Sequence, residues 1–178
     1  MSKFRSNTKA LTKASTEITK VTNEKNHHGS EQFKPNTTVA VVVTYQDKFL
    51  MVEEIDQGKT VYNQPAGHLE AGESLISAAK RELQEETGLA LSPEYLCGIY
   101  YYYSDSINLY YLRFCFVIEL EALVSCQPQD DEIIACHWLT LAEIKAKSAQ
   151  LRSPLVLECI EDHLSGKKIP LSQLKSNL

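Results

Sequence analysis

Residues 67–89 read Gly67-His-Leu-Glu70-Ala-Gly72-Glu73-Ser-Leu-Ile-Ser-Ala-Ala-Lys80-Arg81-Glu82-Leu83-Gln84-Glu85-Glu86-Thr87-Gly88-Leu89, and the rest of the chain is organised around them. Ile76, Ala79 and Leu83 recur at helical spacing, which predicts a helix over 74–86 closed by Gly88. Glu82 and Glu86 stand four apart and Glu85 three from Glu82, so three carboxylates crowd one side of that helix. Like charges at this spacing repel, and the helix dipole disfavours anions in the last turn, where Glu85 and Glu86 lie. A solvated acidic face is the ordinary explanation of a Glu-rich helix, but it leaves both penalties standing. A hard divalent cation relieves both, and Mg²⁺ or Mn²⁺ suits several carboxylate oxygens together with substrate phosphates. Arg81 is placed to reach back to Glu73 at the helix start through a charge-assisted bond. Gly67 and Gly72 would let the preceding loop come close to such an ion.

Working outward, 38–45 is a β-branched run, Gln46-Asp47 a turn, and 48–52 its returning partner, which predicts a hairpin. A short strand at 61–63 leads into a glycine-punctuated loop over 65–72. Beyond the helix, strands are expected at 95–103 and 109–120 about the turn Ser104-Asp105-Ser106, then at 132–139. Helices follow at 141–149 and 155–164, the last opened by Pro154. Strands, one helix, strands and then helices do not alternate strictly, so the expected fold class is α+β, a mixed sheet covered by helices rather than a doubly wound parallel sheet.

The whole chain, 178 residues with 18 Lys+Arg against 23 Asp+Glu, suits one domain. Residues 1–32, rich in Ser, Thr, Asn and Lys, hold too little apolar surface to offset the entropy of ordering, and are expected to be a disordered or loosely helical tail before a domain over 33–178. Six bases and three acids fall within 1–33, which leaves the remainder at −8. A body this acidic lacks the basic stripe that nucleic acid requires, so any phosphate it handles should arrive with a metal ion, and metal removal is expected to abolish substrate binding together with catalysis. No apolar run approaches the roughly 20 residues of a membrane span. Cys97, Cys115, Cys126, Cys136 and Cys159 are odd in number and form no CxxC pair, which indicates neither a disulfide framework nor a zinc cluster. With no apolar signal core near Met1, a cytoplasmic location is expected.

Read as a pattern, 67–89 is Gly-x5-Glu-x7-Arg-Glu-Leu-x-Glu-Glu-x-Gly-Leu, and it resembles the Nudix box at every defined position. The chain is therefore similar to the Nudix hydrolases. Asn63-Gln-Pro-Ala-Gly-His-Leu-Glu70 and Leu151-Arg-Ser-Pro-Leu-Val156 resemble the NudJ-type phosphatase branch, over about 33–170. The resemblance implies an α/β/α sandwich around a mixed sheet, and a box whose Glu82, Glu85 and Glu86 bind Mg²⁺, with Mn²⁺ the alternative. It also implies that the Ala66 carbonyl joins the metal ligands and that Glu73 pairs with Arg81. Many members add an acid ahead of a tryptophan-bearing strand; Glu132, six before Trp138, is the candidate, with Asp130 or Asp131 as fallback. The general base stays open among Glu82, Glu85 and Glu132.

The expected reaction is release of phosphate from nucleoside tri- and diphosphates and from small pyrophosphates such as the thiamine pyrimidine pyrophosphate, by water attack on phosphorus. The alternatives are cleavage of dinucleoside polyphosphates or other nucleotide-linked pyrophosphates, and a non-catalytic nucleotide-binding module. Modules of that kind usually lose box glutamates, and this chain keeps them all. Tyr100 to Tyr103, with Tyr110 and Tyr111 across the turn, are either structural tyrosines of a half-exposed hairpin or include a residue that stacks on a base, for which Tyr102 is the candidate. Arg113 and Arg152 are the candidates for pairing with phosphate, the alternative for each being a surface salt bridge. His68 falls inside the loop, where it is either an orienting group or an exposed loop residue. The expected partner is a small nucleotide or pyrophosphate, with no nucleic acid and no membrane, acted on by a monomer or homodimer.

Overall fold

The computed structural model describes residues 32–178. The tail expected over 1–32 lies outside the described residues, except Gln32. The described elements run β1 (Asn36–Tyr45), β2 (Lys48–Asp56), β3 (Lys59–Asn63), β4 (Ala66–His68), α1 (Leu75–Thr87), β5 (Tyr95–Ser104), β6 (Leu109–Glu119), β7 (Ile133–Thr140), α2 (Leu141–Ala146), α3 (Leu155–Leu164) and β8 (Ile169–Pro170). Single 3₁₀ turns occur at Ser148–Gln150 and Leu171–Gln173.

The strands form one mixed sheet in the order β3-β2-β1-β6-β5-β8, with β4 added to β1 and β7 to β2. β1 and β6 are parallel, from Asn36↔Tyr111 to Thr44↔Glu119; the other named strand pairs are antiparallel. Alternation along β1 divides its side chains between two cores. Val39, Val41 and Val43 join Leu50, Leu96 and Phe116 beneath Ala78, Ala79 and Leu83 of α1. Ala40 and Val42 join Met51, Cys115 and Val117 beneath Ile144 of α2 and Leu155, Val156, Cys159 and Ile160 of α3. This is the expected mixed sheet with helices on both faces.

Four expectations change in detail. The loop expected over 65–72 contains β4, because Thr38–Ala40 of β1 offers a free edge to which Ala66–His68 pair. The helix expected over 141–149 stops at Ala146: the Lys147 N–H turns onto the Ile144 carbonyl and a 3₁₀ turn follows. The strand expected from 132 starts at Ile133, since the Glu132 N–H is held by Asp130 Oδ1 at 2.8 Å in a turn. The hairpin's second strand runs on to Asp56, beyond the expected 52, because its outer half pairs with β3 rather than with β1.

Candidate active site

β1 changes neighbours along its length, and that exchange opens the cleft. It pairs with β2 only at Thr44↔Phe49 and Tyr45↔Lys48, then with β4 from Ala40↔Ala66 to Thr38↔His68. β2 instead goes on with β3 from Val52↔Asn63. Where the two strands part lies a cleft of about 510 Å³, walled by residues of β1 to β6, α1, the turn before β7 and the segment before α3.

α1 brings the box glutamates to this cleft because both of its ends are fixed. Ser74 caps the start by accepting from the Ser77 N–H at 3.1 Å. Gly88 ends it in the left-handed conformation, φ 75°, and donates to Gln84 O at 2.8 Å. Leu83 and Ala79 anchor the inner face at zero exposure, so the helix rotation is set, and Glu82 and Glu86 arrive buried on the cleft side.

Arg81 ties loop to helix. Its Nε and Nη2 reach Glu73 at 3.2 and 2.8 Å, Nη1 reaches Glu82 at 2.7 Å and Glu85 at 3.2 Å, and Nη2 also donates to the His68 carbonyl at 2.9 Å. The bond to Arg81 holds the Glu73 carboxyl below the usual carboxylate range. Gly67 lies against the Glu82 carboxylate so closely that a Cβ would overlap it. Glu86 Oε2 accepts from the Ala66 N–H at 2.9 Å.

Burial pushes the Glu86 carboxyl up to about 9; the Ala66 N–H opposes the rise, and Glu82, Glu54 and Asp130 add to it. Burial raises Glu82 as well, against the pull of Arg81. Glu54 on β2 is also raised, by burial and then by Asp56, Glu132 and Asp130, while Arg152 lowers it. Several carboxyls thus share a poorly hydrated space in which full ionisation is unfavourable without added positive charge. That donor chemistry fits a hard divalent cation. Among the described residues, however, no three His, Cys, Asp or Glu side chains are placed close enough together to ligate one ion. Glu82 is engaged by Arg81 and Glu86 by Ala66, and these bonds are what a cation would have to exchange.

The candidates from the sequence separate into two groups. Ala66, Glu82, Glu86, Glu132, Tyr102, Arg113 and Arg152 line the cleft, as do His68 and the fallback Asp130. Arg81 and Glu73 stand behind, as the clamp just described. Glu85 is half-exposed on the Arg81 side and is not among the residues lining the cleft, and neither is Asp131. Arg152 lies 3.5 Å from Glu54 and 3.4 Å from Asp56. The two segments outside the box that resemble the NudJ branch touch: the Arg152 N–H donates to the Tyr62 carbonyl at 2.9 Å, and Gln64 Nε2 donates to Val156 O at 2.7 Å. Sequence reasoning missed Glu54, Thr38 and Asn63, all of which line the cleft.

The NUDIX domain family matches residues 34–159. The chain belongs to the Nudix hydrolases. Phosphatase NudJ of Escherichia coli strain K12 is 46% identical over 142 residues, 80% of this chain and 92% of that protein. Phosphatase NudJ of Shigella boydii matches to the same extent. A solved NUDIX hydrolase from Nitrosomonas europaea superposes with a TM-score of 0.75 at 46% identity, covering 80% of this chain and 97% of the other. The sheet and helices described above are therefore the Nudix fold, and this Nudix hydrolase is a NudJ-like phosphatase. No helix among the described residues is long and apolar enough to cross a membrane.

Proposed function

We propose that this phosphatase is Mg²⁺-dependent, with Mn²⁺ as an alternative metal, and that it releases phosphate from nucleoside tri- and diphosphates and from small pyrophosphates such as the thiamine pyrimidine pyrophosphate. The observation that carries this reading is the crowding of Glu54, Glu82, Glu86, Asp130 and Glu132 in one cleft, with burial holding the first three carboxyls above their ordinary range. Glu82 and Glu86 would hold the ion with the Ala66 carbonyl; Glu85 would join them on leaving Arg81, and Glu132 or Asp130 would close the site from the turn before β7. When bound, the ion neutralises phosphate charge and makes a water acidic enough to attack phosphorus at neutral pH.

The chain's own residues supply the rest. Arg81 sets the Glu82 carboxylate, Gly67 leaves room for it, and Ala66 sets Glu86. One carboxylate takes the proton of the attacking water, with Glu82, Glu85 and Glu132 as the candidates. Tyr102 offers a ring to the substrate's organic group, and Arg113 and Arg152 offer charge to its phosphates.

The test is a product assay on a panel of nucleoside tri- and diphosphates, the thiamine pyrimidine pyrophosphate and dinucleoside polyphosphates, with Mg²⁺ and with EDTA. Inorganic phosphate released from the first two classes only with metal supports the reading. Pyrophosphate released with nucleoside monophosphate from the triphosphates, or turnover confined to the dinucleoside polyphosphates, would replace it with pyrophosphohydrolysis.

A further inference from the structure

Two arginines, Arg81 behind the cleft and Arg113 lining it, are in opposite states. Arg81 has each guanidinium nitrogen bonded. Arg113 on β6 is 8% exposed, and its buried Nε and Nη1 have no hydrogen-bond partner among the described residues. No ion pair among the described residues includes Arg113. Its neighbour across the parallel ladder is Thr38, register partner to register partner, so the two side chains share one face of the sheet. Thr38 is 4% exposed and its Oγ1 is also unpartnered. Asn63 at the end of β3, 6% exposed, has an unpartnered Oδ1, and Ser153 before α3 has an unpartnered Oγ. All four residues line the cleft.

A buried guanidinium without counter-charge is among the least favourable arrangements a core can hold, and buried polar side chains are in the great majority bonded. One orphan is ordinary; four converging on one cleft, one of them a cation, imply a ligand that completes them. The set is rich in donors: the Nε–H and the Nη1 amino group of Arg113 and two hydroxyls. Its one group that can only accept, Asn63 Oδ1, suits the hydroxyl of a phosphate that still carries one proton, as phosphate monoesters do below a second pKa of about 6. Guanidinium geometry matches phosphate oxygens in the same way.

We propose that Arg113, Thr38, Asn63 and Ser153 form a phosphate subsite that works without metal. It deepens the phosphohydrolase reading, on which it rests, by dividing the substrate's charge: one phosphate belongs to the carboxylates and their cation, another to Arg113. A substrate then needs at least two phosphates to engage both, and the spacing between the two sites sets which anhydride is presented to the attacking water. It also modifies the expectation drawn from the acidic composition, since a phosphate has one place to bind after the metal is removed.

The test titrates inorganic phosphate into the metal-stripped full chain in EDTA, at ionic strength matched with chloride, by calorimetry or by phosphorus NMR line width. The expected result is saturable binding by the wild-type chain, weakened at least about 10-fold by Arg113→Met, less by Arg113→Lys, and several-fold by Thr38→Val. Thr38→Val keeps the side-chain shape, so it reports on the subsite even where Arg113→Met fails to fold. Absence of saturable binding by the wild-type chain overturns the subsite, as does unchanged affinity in Thr38→Val together with any folded Arg113 variant. Mg²⁺-dependent phosphate release measured on the same preparation separates the two claims. Release without metal-free phosphate binding removes the subsite alone, and binding without release removes the hydrolase reading.

Discussion

The backbone N–H of Ala66 donates to Oε2 of Glu86 at 2.9 Å, joining β4 to the last turn of α1 across twenty positions of sequence. Through this bond the loop ahead of the helix and the helix terminus hold one carboxylate between them, in a space where burial raises it to about 9.

Glu86→Gln keeps an acceptor for that N–H and removes only the charge. It should leave the fold intact and lower kcat for phosphate release by more than about 100-fold, because even groups that merely orient a metal ligand are worth 10–100-fold. Steady-state assays with a thermal melt on the same sample check it. A folded variant with wild-type turnover would remove Glu86 from the ligand set.

Gly67→Ala puts a methyl group where the Glu82 carboxylate lies. The carboxylate or the strand must shift, and a misplacement on the order of 1 Å costs roughly 100-fold in rate. The expected outcome is a large fall in kcat with a small change in Tm, since neither hydrophobic core is touched.

Glu86 also dictates a pH dependence for the metal-free protein. Its carboxyl is raised from an ordinary 4.5 to about 9 in the folded state, so the folded state prefers the proton. That contribution to stability is fully present below about pH 4.5, declines as pH rises and is gone above about pH 9. Glu54 and Glu82 shift in the same direction. In EDTA, Tm should therefore fall as pH is raised from about 6 to 9; Mg²⁺ should lessen the fall, and Glu86→Gln should flatten it. A metal-free Tm that rises over this window contradicts the burial argument.

Arg81→Lys keeps one positive charge but cannot serve Glu73, Glu82, Glu85 and the His68 carbonyl together. Turnover should fall about 10–100-fold, with Mg²⁺ required at higher concentration. Metal titrations of kcat on wild type and variant read this directly.

What the sequence made legible is local. Ser74, Gly88 and the Ile76-Ala79-Leu83 spacing mark α1 and its rotation, and the acids along it mark a cation site, because each signal lies within one helix. Glu54 left no such trace: it sits in an ordinary strand, 28 positions before Glu82, and acquires meaning only where β1 and β2 part. Thr38 and Arg113 are 75 positions apart and meet through a parallel ladder that no short-range pattern encodes. β4 was hidden for a related reason, since three residues with a glycine at their centre read as loop until β1 presents its edge. Glu85 shows the converse limit, where spacing alone put three carboxylates on one side and the Arg81 fork draws one of them away.

The most direct test of the account is phosphate release from a nucleoside diphosphate measured against Mg²⁺ concentration for wild type, Glu82→Gln and Glu86→Gln. Release should be absent in EDTA, saturate with Mg²⁺ in the wild type, and stay more than about 100-fold lower in both folded variants at saturating metal. Release that persists in EDTA, or that either variant matches, would contradict it.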